Sequence, residues 1–452
     1  MKLQNEFYKN VKAMSYDLTE SCSLNCDYCF THSCHEKKVL DQSIFKKSIE
    51  EWCCNSIHNS LELTWWGGEP YIEFETMKEL TKYCKEIATK YNKSIAFGAT
   101  TNGVQASDEM LKWIRDNNIA TLISLDGIKE AHDKHRKFPN GVGSWDVIYK
   151  NIQKFKDTKT SFSIRASISV DTLPYLFESF KFYINELKVY AFAFSPVHED
   201  DWNDKAFEIL EEQLDKIIDY AIKIKKEKDI SVDLYHINQN VKALLKPKKK
   251  DDFFNPCGAG NTFFGMAVDG TIWPCHRFNK HGLSFEERIK KEACVGYYDK
   301  DLTYIDLKSP VLADVLTLLP NINDHCKDCI IQKYINCNTG CVATNYDLTG
   351  CSTKCLNSNC VYQKILLDKA KEFIYKLLKN DIKILDYFGL QGMNNATCNC
   401  YQSQFNPVPE IVAKFLDLSR RIIATNDLEK TDEQIRLENE VLQRTVNMLL
   451  NK

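Results

Sequence analysis

The stretch "ESCSLNCDYCF", residues 20–30, places Cys22, Cys26 and Cys29 on one short segment. Three thiolates so close can converge on one iron-sulfur cubane and leave its fourth iron without a protein ligand. Zinc is the competing reading, because His32, Cys34 and His35 lie a few residues further on. That metal prefers a closed set of four ligands at set spacing.

Working outward, the chain of 452 residues is long enough for two or three lobes. Its formal charge of −3, from 59 basic and 62 acidic residues, gives no polybasic field for nucleic acid or an acidic membrane. The first residues lack the apolar core of a secretory signal, and no apolar run approaches the ~18 residues of a membrane span. The expected place is therefore the cytoplasm, where reductants disfavour disulfides. Metal or cluster ligation then becomes the leading use for the 19 cysteines. Isolated thiols such as Cys53, Cys54 and Cys84, in helical stretches, read as small buried hydrophobes.

From residue 14 to 197, β-rich runs alternate with amphipathic segments. The strands are "MSYDL", "LELTWW", "IAFGATT", "ATLISLD", "FSIRASIS" and "VYAFAFS". Helical spacing marks "DQSIFKKSIEEWCCNSI", "FETMKELTKYCKEIATKYN" and residues 203–228. Such alternation predicts a parallel sheet, open or closed into a barrel, working at its strand C-terminal ends. The expected division is residues 1–235, a linker at 236–256 around "KPKKKDD", a cysteine-dense segment at 257–360 and a helical extension at 361–452. The third segment leaves little room for a conventional core and calls for metal staples. In the extension, "KILLDKAKEFIYKLL" reads as a helix. A tail containing "TCNC" then leads to two more helices, the last capped by Thr431 and Gln434.

The "CSLNCDYCF" stretch resembles the C-x3-C-x2-C signature of radical S-adenosylmethionine (SAM) enzymes. "GGEP", Gly67 to Pro70, is similar to the motif whose backbone meets the methionine amino group in that family. "TTNG", "SLDG" and "IRAS" follow at the next three strand ends. The resemblance implies a partial (β/α)6 barrel of the α/β class and a SAM site including Gly67, Gly68, Glu69, Pro70, Asn102 and Asp126. It puts Ser124 and Arg165 at the ribose and carboxylate, and Tyr28 and Val197 beside adenine. It also implies reductive cleavage of SAM to a 5'-deoxyadenosyl radical, with electrons from a flavodoxin or ferredoxin type of reductant. Read by residue chemistry, Arg165 suits a carboxylate, the glycine pair a close backbone approach, and Tyr28 with Phe194 an adenine slot. Each has an ordinary alternative: a turn, an ion pair or a core aromatic.

Between residues 257 and 360 the cysteines resemble the SPASM extension of peptide-modifying radical SAM enzymes, which holds two auxiliary 4Fe-4S clusters, three in all. One departure is that "CKDCIIQKYINC" has seven residues before its third cysteine, where the usual pattern has five. The resemblance assigns Cys257, Cys275 and Cys341 to the first auxiliary cluster, and Cys326, Cys329, Cys337 and Cys360 to the second. The first set then lacks a fourth ligand. Cys294, Cys351, Cys355, Cys398 and Cys400 are candidates, or the iron stays open to a substrate thiolate. An all-thiolate zinc site is the alternative for "CKDC" and two later cysteines.

The implied substrate is a ribosomally made peptide or protein, most simply one gaining a cysteine thioether. A carbon-carbon crosslink is chemically close. Anaerobic sulfatase maturation to formylglycine is a second reading, although those maturases usually carry an acid where His276 stands; His276 can serve as a base. A non-catalytic electron-transfer module is the third. The segment before residue 14 is too short for a leader-binding domain, so a separate leader-binding protein or the C-terminal extension is expected to dock the substrate. The "HDKHRKFPNGVGSW" stretch resembles a loop common in this enzyme group, with no role assigned to Arg136.

Overall fold

The computed structural model of the protein describes residues 6–31, 38–245, 257–317, 329 and 340–388. The six expected strands form: β1 Ala13–Thr19, β2 Ser60–Gly67, β3 Ser94–Thr101, β4 Ala120–Ser124, β5 Phe162–Ile168 and β6 Ala191–Pro196. They pair in parallel and in sequence order, and the short β7, Asp233–Leu234, follows β6. Side chains alternate across each strand. Tyr16 and Trp65 face the helical layer, where they bond Ser48 of the helix Gln42–Asn55 at 2.8 Å and Thr81 of the helix Phe74–Lys90 at 3.2 Å. Their neighbours Asp17 and Trp66 therefore face the opposite side, a cleft lined by strand residues. Side-chain caps begin several helices: Asp41 accepts from Ser43 and Ile44, Ser107 from Met110, and Asn203 from Ala206.

The linear strand order settles the open-or-closed question in favour of an open sheet, with β7 at one edge. At the other, the sheet continues past residue 256. Strand β8, Phe263–Met266, pairs in parallel with β1, and β9 Thr271–Trp273, β10 Gly296–Tyr298 and β11 Tyr304–Asp306 add antiparallel strands. Strands of three or four residues carry too little alternation to be read from sequence. This segment also has a small core, contrary to expectation. Trp273, Phe278, Val311, Val315 and Val342 cluster with Cys275 and Cys294, and one buried indole replaces much of the aliphatic bulk that the composition lacks.

The first part of the expected linker is the helix Tyr235–Leu245, because Ile237, Val241 and Leu244 share a buried face. The helix Asn357–Lys379, expected at "KILLDKAKEFIYKLL", packs on it and on Asp204–Lys228, with ion pairs Lys369–Asp215 and Lys376–Asp219. The "TCNC" tail and the two helices expected after it lie outside the described residues. Among the described residues no helix is long and apolar enough to cross a membrane.

Candidate active site

Strand β1 ends at Thr19, and the cysteine loop leaves from it directly. Two glycines press the end of β2 against that loop. Gly68 N donates to Thr19 O and Glu69 N to Ser21 O, both at 2.8 Å. A Cβ on Gly67 would stand 2.2 Å from Thr19 O, and one on Gly68 2.3 Å from Ser21 O. Gly67 also has a φ of +124°, a backbone conformation that side chains resist. "GGEP" is therefore a dock for the cysteine loop, and no other residue type fits at its first two positions.

Glu69 is fully buried and brackets the next strand end. Its carboxylate accepts from Tyr71 N at 3.0 Å, Thr101 Oγ1 at 2.8 Å and Asn102 N at 2.6 Å. Burial raises its pKa to about 7 against the pull of those donors. Asn102 then turns its amide back to the loop, to Ser23 Oγ at 3.1 Å and Cys22 Sγ at 3.6 Å. Cys22, Cys26 and Cys29 are half-buried, form no disulfide, and act electrostatically on one another. Burial, with Glu69, pushes the Cys22 thiol up to about 12. Among the described residues no group of three or more thiol, imidazole or carboxyl side chains is placed to hold a metal ion, and His32, Cys34 and His35 of the zinc reading lie outside the described residues.

Beyond β4, Asp126 is buried and accepts from Arg136 Nε at 2.8 Å, Ser167 N at 2.8 Å and the Tyr28 hydroxyl. Burial opposes ionisation, but Arg136 and His132 hold the carboxyl below its usual range. Arg136, which the sequence left without a role, thus fixes Asp126, and its guanidinium lies 5.4 Å from the Tyr28 ring centroid. Register places Ser124 beside Arg165. Among the described residues the Arg165 side chain makes no hydrogen bond or ion pair, and burial together with Arg136 lowers its pKa. An unpaired arginine at the cleft calls for an anionic group. Val197 follows β6 and donates its N–H to Ile168 O at 2.9 Å. Phe194 does not join the cleft: Arg165 pairs with Ala193, so alternation turns Phe194 to the helical side with Ile168, Leu210 and Leu214.

The segment after β9 supplies another wall. His276 lies 4.1 Å from Trp66 between ring centroids and is approached by Phe30 and Phe263. Its Nδ1 is buried without a partner. Burial, Arg165 and Arg277 lower its pKa to about 3, so the ring is neutral at physiological pH and a weak proton acceptor. His198 and Arg277 lie near the same cleft and were missed in the sequence, since neither belongs to a spacing motif. Burial, with Arg277, lowers His198 to about 4.

Cys257, Cys275 and Cys341 come together: burial raises the Cys275 thiol, and Cys341 and Cys257 push it the same way. Of the second set, Cys329 is half-buried and Cys360 Sγ lies 3.1 Å from Cys355 Sγ, while Cys326 and Cys337 fall outside the described residues. Among the candidate fourth ligands, Cys355 thus sits with the second set. Cys294 is buried with its thiol on Gly296 O at 3.6 Å, and Cys351 contacts Thr353. Cys398 and Cys400 lie outside the described residues.

Three closely spaced thiols, a glycine dock shaped to backbone, and an arginine side chain with no ion pair among the described residues fit an iron-sulfur cluster and an amino-acid-bearing cosubstrate. Cys22, Cys26 and Cys29 are the residues able to hold the cluster. A cysteine-type anaerobic sulfatase-maturating enzyme of Clostridium novyi is 24% identical over 74% of this chain and 88% of its own length. A serine-type anaerobic sulfatase-maturating enzyme of Bacteroides thetaiotaomicron is 26% identical over 43% of this chain and 48% of its own. The solved structure of native anSMEcpe with bound AdoMet and Cp18Cys peptide superposes with a TM-score of 0.64 at 18% identity, over 82% of this chain and 99% of that one, a likeness of fold. Residues 16–173 match the radical SAM superfamily, so the chain carries a radical SAM domain, of the kind that works with a 4Fe-4S cluster and SAM.

Proposed function

We propose that the protein oxidises a side chain in a ribosomally made peptide or protein, joining a cysteine sulfur to a carbon. The observation supporting this reading is the second trio, Cys257, Cys275 and Cys341, whose thiols lie close enough to act on one another. A cluster held by these three cysteines alone would leave one iron for a substrate thiolate. When bound at Cys22, Cys26 and Cys29, a 4Fe-4S cluster supplies the electron that cleaves SAM and so starts hydrogen abstraction.

The chain's own residues position and shield. Arg165 would pair with the SAM carboxylate, and Gly67 and Gly68 let backbone approach its amino group. Glu69, Asn102 and Asp126 fix the loop and strand ends around it. Phe30, Trp66 and Phe263 keep water from the wall that His276 completes. His276 is too weakly basic to remove a proton readily, so a thiol proton is better lost through metal coordination, as the thioether reading requires.

Formylglycine formation is the second reading, favoured by the sulfatase-maturating relatives and the Clostridium novyi alignment along most of that protein. One experiment separates the outcomes. The reconstituted enzyme, reduced by a flavodoxin or ferredoxin, is incubated with short cysteine-bearing peptides encoded beside its gene. A thioether removes two hydrogens and blocks the thiol. A carbon-carbon link removes two hydrogens and leaves the thiol open to alkylation. Formylglycine made from cysteine loses sulfur. SAM cleavage with every peptide unchanged refutes the peptide reading, and iron with sulfide for one cubane alone refutes the auxiliary clusters.

A further inference from the structure

We propose that His135 is a positioning residue of the cysteine loop, gripping Asp27 so that Cys26 and Cys29 on either side keep their places. The inference rests on the cluster reading above and adds a residue to it.

His135 ends the helix Lys129–His135 and has carboxylates on both sides. Its Nδ1 lies 2.9 and 3.0 Å from the two oxygens of Asp27. Its Nε2 lies 2.8 Å from Asp171 Oδ1 and 2.7 Å from Ser169 Oγ. Only an imidazolium donates to carboxylates from both nitrogens at once. Burial works against that charge, yet the hydrogen bonds to Asp27 and Asp171 outweigh it and raise the pKa. The groups facing the ring from other elements agree: Asp27 and Tyr28 on the loop, Asp171 after β5, and Asp200 after β6. On its own helix Lys134 pairs with Asp171 instead of competing for Asp27.

The grip is on the loop's middle, which has few other anchors. Asn25 N donates to Lys137 O at 2.7 Å, and the Tyr28 hydroxyl reaches Asp126. All three moorings run to the 126–137 region, and among the described residues only the His135 side chain bonds Asp27, directly after Cys26. The imidazole is thus a bridge from the cysteine loop to the turn after β5, where Asp171 and Ser169 fix its far side. Ser169 is held in turn by Thr172 at 2.9 Å.

The test uses the full-length chain. His135→Gln and Asp27→Asn are made singly and together, and alkylation of Cys26 and Cys29 by iodoacetamide is timed in the cluster-free protein by peptide mass mapping, with Cys54 as internal reference. Each single variant is expected to speed both thiols roughly fivefold, the size of a partly exposed ion pair, and the double variant no further. The wild-type advantage is complete below the ordinary histidine pKa and narrows as pH climbs through the raised value of His135. Unchanged rates in His135→Gln, or additive effects in the double variant, overturn the proposal. A wild-type protein whose reduced cluster shows no change in its electron paramagnetic resonance signal on adding SAM overturns the cluster reading instead, and the alkylation result stands apart from it.

Discussion

Replacing Gly68 by alanine tests whether the glycine dock makes the site. The new methyl would lie 2.3 Å from Ser21 O, 2.5 Å from Glu20 O and 2.6 Å from Ser21 C, all backbone atoms that no rotamer change can clear. Overpacking of this kind costs about 1–3 kcal/mol. Relief by separation also loses the two 2.8 Å bonds from Gly68 N and Glu69 N, at about 1 kcal/mol each. The sum is roughly 3–5 kcal/mol, less than the upper range of domain stability, so the expected result is a folded protein with a displaced cysteine loop. Circular dichroism should show a cooperative but lowered melt, while iron at the first site and 5'-deoxyadenosine formation fall by roughly two orders of magnitude. Gly141→Ala is the control, because its Cβ meets nothing within 4 Å although its φ of +83° carries some strain. Wild-type SAM cleavage in Gly68→Ala would refute the docking argument.

Glu69→Gln should alter the pH dependence of stability. The buried acid holds its proton up to about 7 against an ordinary 4.5, so its contribution is fully present below 4.5 and declines as pH rises to about 7, on the order of 3 kcal/mol. Denaturant melts of wild type and variant should diverge across that window, and parallel pH curves would count against it. Arg165→Ala should weaken SAM binding roughly tenfold or more, as loss of a charged hydrogen bond does. Its melting temperature should stay near wild type, since no ion pair is lost; calorimetric titration and a thermal melt read both. Arg288→Met should cost up to about 3–5 kcal/mol, because the buried Glu20 loses its close guanidinium partner and keeps Lys38 Nζ at 3.7 Å. Adding Glu20→Leu should recover most of that in urea melts, and an equally unstable double variant would show that the pair is not the cause.

The parallel sheet was legible because each of its six main strands carries five or more residues of pattern and each motif ends one. The three-cysteine loop, the glycine pair and Arg165 were readable for the same reason: their chemistry is local. What the sequence hid is non-local. Arg136 sits ten residues from Asp126, but nothing in its spacing says that the carboxylate turns back to meet it. The helix Tyr235–Leu245 was masked by the lysines that follow it, and β8 to β11 by their brevity. Phe194 was misplaced because an adenine slot needs an aromatic, and only strand register shows that Ala193 occupies the cleft side.

The described contacts also tie the segment that follows Cys275 to the first cysteine loop. The segment after β8 grips the cysteine loop at both ends. At the entry, Glu20 takes the Arg288 guanidinium and the Gly282 N–H at 3.0 Å, and Arg288 is held on its other side by Asp269 at 2.7 Å. At the exit, Lys280 Nζ reaches Phe30 O at 2.9 Å and His281 N reaches Thr31 O at 2.8 Å. Beneath them, Asp17 on β1 accepts from Asn279 at 2.6 Å and from His281 at 3.0 Å. Buried charges are tolerated when each is paired and hydrogen-bonded, and breaking one partner is far costlier than the pair is stabilising. These pairs therefore act as a register: residues 279–288 have one low-energy seat on β1 and its loop. The same chain segment carries Cys275 and puts His276 against Trp66, so fixing the seat also fixes the distance between the two trios. On the proposed reading, a substrate side chain lying against the Trp66 and His276 wall would be positioned by the same contacts that fold the protein.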